Sequence, residues 1–195
     1  MMGGGLFLDR DGTIIEELEY ISSPSQVRLI PRSAQAIRQA NLLGLKVFVI
    51  SNQSGVARGL LSEREVELVH DALVEQLKKA GAAIDAIYYC PHHPDYGDSD
   101  YRKTCECRKP AIGMLREAAE KFSIDLRKSY VVGDRISDME AGKTAGAVSI
   151  LVRTGYGSET ISLLDGKRDC VTHVADDLFD AVEYIRSVSK VSTRH

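Results

Sequence analysis

Short apolar runs alternate along the chain with longer stretches of helical periodicity, and each kind of segment predicts a different element. The apolar runs predict strands at residues 6–9, 45–51, 86–89, 130–133 and 148–152. The helical patterns cover residues 31–43, 63–80, 111–122, 138–145 and 177–188. This alternation is typical of a parallel sheet covered on both faces, so we expect an open, doubly wound, Rossmann-like α/β fold with mainly parallel strands.

Two predicted helix starts carry a capping box, in which a hydroxyl and a carboxylate satisfy free backbone N–H groups of the first turn. These boxes are Ser62-x-x-Glu65 and Ser137-x-x-Glu140. No large insertion follows the first or third predicted strand, so we expect no separate cap domain. At 195 residues the chain is most simply one domain, residues 1–195, with a polar and frayed tail at about residues 189–195.

Polar and acidic residues follow three of the predicted strands. Asp9 and Asp11 come after the first strand, Ser51 begins a polar segment at the end of the second, and Asp134 follows the fourth. In open α/β sheets the ligand binds beyond the carboxyl ends of the strands, so we expect these segments to form one site. Each segment taken alone is also compatible with an ordinary turn.

The pair Asp9 and Asp11 has the chemistry that phosphoryl transfer requires. One carboxylate can attack phosphorus and hold a divalent cation, while its neighbour handles the proton of the leaving group. The alternative is a solvated turn, because Asp11-Gly12 is a common turn dipeptide. The other segments at strand ends favour the reactive interpretation.

Three cysteines and a histidine lie in two close pairs, Cys90-x-His92 and Cys105-x-Cys107. Four such ligands suit a closed, structural Zn²⁺ site of tetrahedral geometry. The 14 residues between Cys90 and Cys105 include little apolar material with which to order themselves. A metal would fix this loop of about residues 90–109, called here the Cys/His loop. A flexible loop with incidental thiols is the alternative.

Two further points concern the Cys/His loop. His93 competes with His92 as the histidine ligand, and spacing does not decide between them. The loop ends at Arg108 and Lys109, so a metal clip would aim two cations at the expected site. Cys170 lies far away in the sequence and is interpreted as a buried or idle thiol.

Charge and composition restrict the expected partners. The net charge is −3, with acids and bases mixed along the chain, so no basic stripe indicates nucleic acid. The first residues lack the features of a signal peptide, and no apolar run approaches membrane-spanning length. We therefore expect a cytoplasmic protein with no nucleic-acid or membrane partner, in which the cysteines stay reduced.

The motifs at the strand ends resemble those of the haloacid dehalogenase (HAD) superfamily of phosphatases over roughly residues 6–155. The four motifs of that superfamily match Asp9-x-Asp11-Gly12-Thr13, Ser51-Asn52, Lys109 and Gly133-Asp134-x-x-x-Asp138. The resemblance implies that Asp9 is a nucleophile forming an aspartyl phosphate. It also implies that Asp11 is the acid and base, and that Ser51 and Lys109 hold the phosphoryl oxygens.

The same resemblance implies a catalytic Mg²⁺ ion held by Asp9, by the backbone carbonyl of Asp11 and by Asp134. Two interpretations of Asp138 stay open. It can support Lys109 or a metal-bound water, or it can be an acid favoured by the dipole at a helix start.

A narrower resemblance is to the zinc-containing D-glycero-D-manno-heptose 1,7-bisphosphate 7-phosphatase family. The matching segments are residues 9–13, 51–59, 89–94, 105–110 and 152–155. This resemblance implies removal of the 7-phosphate through the aspartyl phosphate. The product would be heptose 1-phosphate for nucleotide-activated heptose, as in lipopolysaccharide or related glycan synthesis.

The family resemblance also assigns ligands. It implies that zinc is held by Cys90, His92, Cys105 and Cys107. The implied substrate contacts are Glu17, Leu18, Glu19, Tyr20, Asn52, Gln53, Ser54, Arg108 and Arg135. The family commonly has lysine at the position of Arg135, so contacts to the distal part of the sugar can differ here.

Two other functions remain as alternatives. Histidinol-phosphate phosphatases share the aspartate motif, the Cys/His pairs and the Arg-Lys-Pro ending, although their loop is typically shorter. Phosphate-accepting signalling receivers share the open sheet and the clustered aspartates, but they have no obvious use for a zinc loop. The resemblance implies a phosphorylated sugar as substrate and a monomer.

Overall fold

Strands and helices alternate through the described part of the chain, which in this computed structural model is residues 3–164, 166 and 168–192. The strands are Gly5–Leu8 (β1), Lys46–Asn52 (β2), Ala86–Cys90 (β3), Tyr130–Gly133 (β4), Val148–Val152 (β5) and His173–Ala175 (β6). The α-helices are Ser33–Leu42 (α1), Glu63–Lys79 (α2), Gly113–Phe122 (α3), Ile136–Ala145 (α4), Gly157–Ser162 (α5) and Leu178–Ser192 (α6).

The six strands form one sheet in the order β3-β2-β1-β4-β5-β6, and every neighbouring pair is parallel. The chain builds the sheet outward from β1 to β3, then returns to the other side of β1 with β4. This reversal creates a crevice at the carboxyl ends of β1 and β4, where open α/β sheets bind their ligands. The expected fold class is confirmed, and no cap domain interrupts the described residues.

Both faces of the sheet are buried, which explains why its strands are continuously apolar. On β1, Leu6 and Leu8 pack against one face, together with residues of α1, α2 and α6. Phe7 points to the opposite face, where it stacks on Phe48 with ring centres 5.0 Å apart and packs with α3. Alternate side chains of one short strand therefore join two separate halves of the core.

Among the strands and α-helices of the described residues, two short elements were not predicted, the strand β6 and the helix α5. β6 has 3 residues and α5 has 6, which is too short for either periodicity to register in the sequence. Helix α6 continues to Ser192, past the expected end at residue 188 and into the segment expected to be frayed. Residues 193–195 of that segment lie outside the described residues.

One of the two predicted capping boxes is confirmed and the other is wrong. Ser62 and Glu65 exchange backbone-to-side-chain hydrogen bonds of 3.2 and 2.7 Å at the start of α2. Helix α4 begins at Ile136, two residues earlier than expected, so Ser137 lies inside its first turn. Its capping carboxylate is Asp138, which accepts a hydrogen bond of 3.0 Å from the Arg135 backbone N–H.

The helices of the described region are amphipathic or short. None of them combines the length and the apolar character that a bilayer crossing requires.

Candidate active site

The carboxyl ends of β1, β2 and β4 meet at one edge of the sheet, as the sequence predicted. They bring Asp9, Ser51 and Asp134 together, and a cavity of about 650 Å³ opens there. All three side chains are almost fully buried, although carboxylates are among the groups least often buried without a partner. The hydrogen-bond and ion-pair partners of Asp9, Ser51 and Asp134 therefore determine the chemistry that the site can support.

Lys109 is buried at the base of this site. Its Nζ donates to Asp9 Oδ1 at 2.9 Å and to the Ile50 carbonyl at 2.7 Å, and it lies 2.6 Å from Asp138 Oδ1. These three acceptors match the three N–H donors of an ammonium group. Burial acts to lower the pKa of Lys109, but Asp138 and Asp9 outweigh it and raise this pKa above its usual value. Lys109 is therefore a fixed positive charge.

Asp9, Asp134 and Asp138 form a buried group whose carboxylate oxygens lie within 4.8 Å of one another. Burial, and then the charges of Asp9 and Asp138, raise the pKa of Asp134 to about 8. Asp134 Oδ2 accepts a hydrogen bond of 2.7 Å from Tyr156 N–H, whereas the buried Oδ1 has no hydrogen-bond partner within the described part of the chain. This donor set fits a hard divalent cation such as Mg²⁺.

Asp138 satisfies both interpretations that the sequence left open. Its Oδ1 lies against Lys109 Nζ, and its Oδ2 accepts from the Arg135 N–H in the first turn of α4. Burial raises the pKa of Asp138 to about 6, against the opposing effect of Lys109. One carboxylate thus caps a helix and orients the buried lysine.

The Asp11 side chain lies outside this carboxylate group, with different partners. Arg10, which is 1% exposed, places Nε 3.0 Å from Asp11 Oδ1 and Nη2 2.9 Å from Oδ2. Gln53 Nε2 donates to Asp11 Oδ2 at 2.9 Å and also to Ser51 Oγ at 2.7 Å. The site therefore holds two carboxylates from one turn in two environments, one beside Lys109 and one beside a guanidinium.

Gly12 allows the turn after β1 to approach Asp134. Its φ is +74°, and a Cβ on it would lie 2.3 Å from Asp134 Oδ2 and 3.0 Å from the Cα of Gly155. Neither the backbone angle nor the space accepts a side chain. Gly12 therefore permits the close packing of the two acidic segments.

Ser51 and Asn52 extend from the end of β2 with different contacts. Ser51 is buried, and Gln53 is the donor to its hydroxyl. Asn52 pairs with the backbone of Lys109 in both directions: its Nδ2 donates to the carbonyl, and its Oδ1 accepts from the N–H, each at 3.0 Å. Asn52 thereby fixes the position of the Lys109 backbone, from which the lysine side chain extends into the site.

The Cys/His loop brings its four predicted ligands together. The Sγ of Cys107 lies 3.1 Å from that of Cys90 and 3.2 Å from that of Cys105, and His92 Nδ1 lies 3.4 Å from the same sulfur. The corners of a tetrahedral zinc site are separated by roughly 3.5–3.8 Å, so this group is compact enough for one ion. Burial raises the pKa of Cys90, which makes uncompensated thiolates unfavourable there and fits a cation.

His93 is directed away from that group. Its Nδ1 accepts a hydrogen bond of 3.1 Å from the Asp95 backbone N–H, and its ring lies 4.7 Å from that of Tyr96. The structure thus brings His92, and not His93, to the cysteines.

Most of the expected substrate contacts line the cavity. They are Glu17, Glu19, Tyr20, Asn52, Gln53, Ser54, Arg108 and Arg135. Leu18 is not among the lining residues and is 43% exposed. Arg135 lies 3.7 Å from Glu17 and stacks 3.9 Å from the ring centre of Tyr156. Burial, and then the charge of Asp11, raise the pKa of Glu17.

Sequence reasoning missed several cavity residues, including Arg10, Arg58, His93 and Tyr156. Arg58 stacks on Tyr96 with its guanidinium carbon 3.7 Å from the ring centre. Burial first, then Arg108 and Arg58, lower the pKa of His93. Arg10 and Arg58 lie within the motif segments 9–13 and 51–59, and a charged residue in such a segment was the available signal.

The HAD-hydrolase-like family model matches residues 106–181. A relative from Chlorobaculum tepidum, named D-glycero-D-manno-heptose-1,7-bisphosphate 7-phosphatase, is 41% identical over 183 residues, which cover 91% of each chain. The chain belongs to the heptose 1,7-bisphosphate 7-phosphatase family. Members of this HAD-like family are phosphatases, so the family and the class of enzyme expected from the sequence are confirmed.

Other members of the heptose bisphosphate phosphatase family agree. A D-glycero-beta-D-manno-heptose-1,7-bisphosphate 7-phosphatase from Rhodopseudomonas palustris is 45% identical over 140 residues, or 72% of this chain and 78% of that one. A crystal structure of D,D-heptose 1,7-bisphosphate phosphatase from B. bronchiseptica, complexed with magnesium and phosphate, matches with a TM-score of 0.83. It is 35% identical and covers 94% of this chain and 98% of that chain.

Proposed function

We propose that this protein removes the 7-phosphate of D-glycero-D-manno-heptose 1,7-bisphosphate and yields the heptose 1-phosphate. The observation that carries the proposal is the buried arrangement of Asp9, Lys109 and Asp134 beside a cavity rich in charged side chains, in a chain of this family. Such a site suits the transfer of a phosphoryl group from a polar, anionic substrate.

The proposed reaction has two steps. A carboxylate oxygen of Asp9 forms a bond to phosphorus as the bond to the sugar oxygen breaks, and Asp11 gives its proton to that leaving oxygen. Water then attacks the phosphorus of the aspartyl phosphate. Asp11 takes the proton of that water, which releases inorganic phosphate and restores both carboxyl groups. The different partners of Asp9 and Asp11 support this division of roles.

Lys109 and Ser51 are the proposed donors to the transferring phosphoryl group, and the Lys109 N–H that donates to Asp9 in the free site would turn to a phosphoryl oxygen when Asp9 attacks phosphorus. A fixed ammonium group and a buried hydroxyl at the site cost little reorganisation when charge develops on the oxygens. Arg10 and Gln53 orient Asp11, because they hold both of its carboxylate oxygens. Asn52 orients Lys109 through its backbone.

Mg²⁺ is the proposed catalytic ion, and Asp9, Asp134 and the Asp11 carbonyl would hold it. When bound, it supplies positive charge that offsets the repulsion between the carboxylates and the phosphate. Among the described residues the buried Asp134 Oδ1 has no hydrogen-bond partner, and this and the raised pKa of Asp134 support the site. Asp138 contributes by holding Lys109.

Zn²⁺ is the proposed structural ion of the Cys/His loop, with Cys90, His92, Cys105 and Cys107 as its ligands. The close approach of their four donor atoms supports the assignment. We infer that the ion orders the loop and thereby sets the positions of Arg108 and Lys109 at the cavity.

Heptose bisphosphate is favoured over histidinol phosphate as the substrate. The relatives from Chlorobaculum tepidum and Rhodopseudomonas palustris, which match 91% and 72% of this chain, are named for the heptose compound. The cavity also carries arginines at positions 58, 108 and 135, which suits a substrate with a second phosphate better than one with an amine.

We further infer a role in supplying activated heptose for lipopolysaccharide or a related glycan, in the cytoplasm, by one monomeric domain. The location is inferred from the cysteines. Cys90, Cys105, Cys107 and Cys170 form no disulfide, which suits a reducing compartment.

The proposed mechanism is tested by replacing the nucleophile. Asp9→Asn keeps the size of the side chain but removes the attacking oxyanion, so Mg²⁺-dependent release of phosphate should fall by at least about 1,000-fold. Circular dichroism and urea unfolding check that the fold is kept. The matched control is Asp71→Asn, at an exposed position of α2, which should release phosphate at the wild-type rate. Residual turnover near that of the control would exclude Asp9 as the nucleophile.

A further inference from the structure

We propose that Arg58 and His93, backed by Tyr96, form with Arg108 the subsite for the second phosphate of the substrate, at the side of the cavity next to the Cys/His loop. This inference rests on the proposed function, because only a bisphosphate has a group to place there. It assigns substrate discrimination to two residues outside the expected set of contacts.

Arg58 is held in place by stacking and keeps its donors for a ligand. Its guanidinium lies over the ring of Tyr96, with 3.7 Å between the central carbon and the ring centre. Among the described residues no carboxylate forms an ion pair with Arg58, and it lines the cavity. Its buried Nε has no hydrogen-bond partner there. A stacked guanidinium with unused donors suits a phosphate, which it can bind through two parallel hydrogen bonds.

His93 adds an uncharged N–H donor to the side of the cavity that Arg58 lines. Because Nδ1 accepts the Asp95 backbone N–H, the ring proton lies on Nε2. The ring packs on Tyr96 at 4.7 Å and lines the cavity together with Arg58 and Arg108. An Nε2–H beside two guanidinium groups is a suitable donor for a phosphate oxygen.

Charge distinguishes this side of the cavity from the opposite side. Arg135 is partly neutralised, since Glu17 lies 3.7 Å away. Burial acts to lower the pKa of Arg135, but the charges of Asp134, Glu17 and Asp9 outweigh it and raise this pKa. Within the described chain, Arg58 and Arg108 have no such acidic partner, and Arg108 donates only to the His92 carbonyl, at 3.1 Å. A second phosphate therefore meets two guanidinium groups that have no acidic partner in the described chain, next to His93, whose Nδ1 lies 3.9 Å from the exposed Asp95 carboxylate.

The Cys/His loop and the segment after β2 are packed together at this point. A Cβ on Gly97 would lie 2.8 Å from the Ala57 carbonyl, and the Ala57 N–H donates to the Pro91 carbonyl at 3.2 Å. Arg58 follows Ala57 directly, so its position depends on the ordered loop. This contact explains how a structural metal in one segment can affect substrate choice through another.

The experiment measures kcat/KM for heptose 1,7-bisphosphate and for the 7-monophosphate of the same sugar. Arg58→Met should lower the value for the bisphosphate by about 10- to 100-fold, mainly through KM, and change the monophosphate value less than about twofold. His93→Phe keeps the ring but removes its donor, and should give a smaller loss of the same kind. Arg58→Lys keeps the positive charge but loses the planar guanidinium with its paired donors. Its kcat/KM for the bisphosphate should lie between those of Arg58→Met and the wild type.

The matched control is Arg64→Met, which removes an exposed arginine of α2 and should leave both values unchanged. Zinc content and thermal unfolding show whether each variant is folded. If Arg58→Met does not fold, the kcat/KM values of Arg58→Lys test the subsite instead. Equal losses on both substrates, or no loss on the bisphosphate, would overturn the subsite while the proposed function stands. Wild-type enzyme that hydrolyses the monophosphate but not the bisphosphate would overturn the proposed function itself.

Discussion

At the scale of single residues, the turn after β1 is the most constrained part of the site. Gly12 has a positive φ and faces Asp134, which leaves no space for a methyl group. Gly44 has the same kind of backbone, with φ of +79°, but a Cβ there would meet nothing within 4 Å. An alanine at Gly44 therefore adds only backbone strain, whereas an alanine at Gly12 adds the same strain and a clash with Asp134.

Gly12→Ala should therefore lower Mg²⁺-dependent activity by at least about 100-fold, because the methyl group displaces the carboxylate of Asp134. Gly44→Ala should keep wild-type activity and lose only about 1 kcal/mol of stability from its strained backbone. Steady-state kinetics and urea unfolding of both variants measure these effects. Equal activity in the two variants would show that Gly12 is needed only for its backbone conformation and not for its close approach to Asp134.

Individual residues also show how far sequence reasoning reaches. Asp9 and Asp134 were predicted to meet because each follows a strand end, and the topology of a parallel sheet supplies the rest. The contacts of Lys109 with Asp9 and Asp138, 100 and 29 residues away, were not derivable from spacing, because they depend on the packing of the Cys/His loop on the sheet. For the same reason Arg10 and Arg58 were recognised only once their partners were visible.

At the scale of elements, Glu63 joins three of them. At the start of α2 it accepts hydrogen bonds of 2.8 Å from Tyr89 of β3 and from Tyr101 of the Cys/His loop. Hydrogen bonds to a charged group contribute about 1.5–3 kcal/mol each. Glu63 is therefore an anchor for the loop that does not depend on a metal.

Glu63→Ala should lower the free energy of unfolding by about 2–4 kcal/mol and speed the release of zinc to a chelator. Glu67→Ala removes an exposed acid from the same helix and is the control, with an expected change below about 0.5 kcal/mol. Zinc release is followed with a metal-binding dye, and stability by urea unfolding. Identical release rates in the two variants would contradict the anchoring role.

The prediction of elements was accurate where a segment was long and periodic, and it failed where local signals compete. The five predicted strands and five predicted helices are present with small shifts of their ends. Helix α4 starts two residues earlier than predicted because the Asp138 carboxylate accepts a hydrogen bond from the Arg135 N–H, whereas the sequence pattern predicted the cap at Ser137. β6 exists because it pairs with β5, and a strand of 3 residues is stabilised by that neighbour more than by its own pattern.

At the scale of the whole molecule, the buried His70 links stability to pH. Burial, and then the charge of Arg10, lower the pKa of His70 to about 3. The unfolded chain binds a proton there near pH 6.5, whereas the folded chain does not, so this residue destabilises the fold as the pH falls below 6.5.

Wild-type protein should therefore lose about 2 kcal/mol of stability from His70 between pH 7 and pH 5. His70→Gln cannot take up this proton, so its loss over the same interval should be smaller by that amount. Urea unfolding at the two pH values provides the comparison. The same pH dependence in both proteins would mean that His70 is protonated in the fold.

The central claim also belongs to the whole molecule, because substrate choice combines the strand-end carboxylates with the arginines of the cavity. The most direct test is the steady-state kcat/KM of the Mg²⁺- and Zn²⁺-loaded enzyme for heptose 1,7-bisphosphate, histidinol phosphate and fructose 1,6-bisphosphate. We expect the heptose compound to be preferred by at least about tenfold over each of the others. A preference for histidinol phosphate would contradict the proposed function.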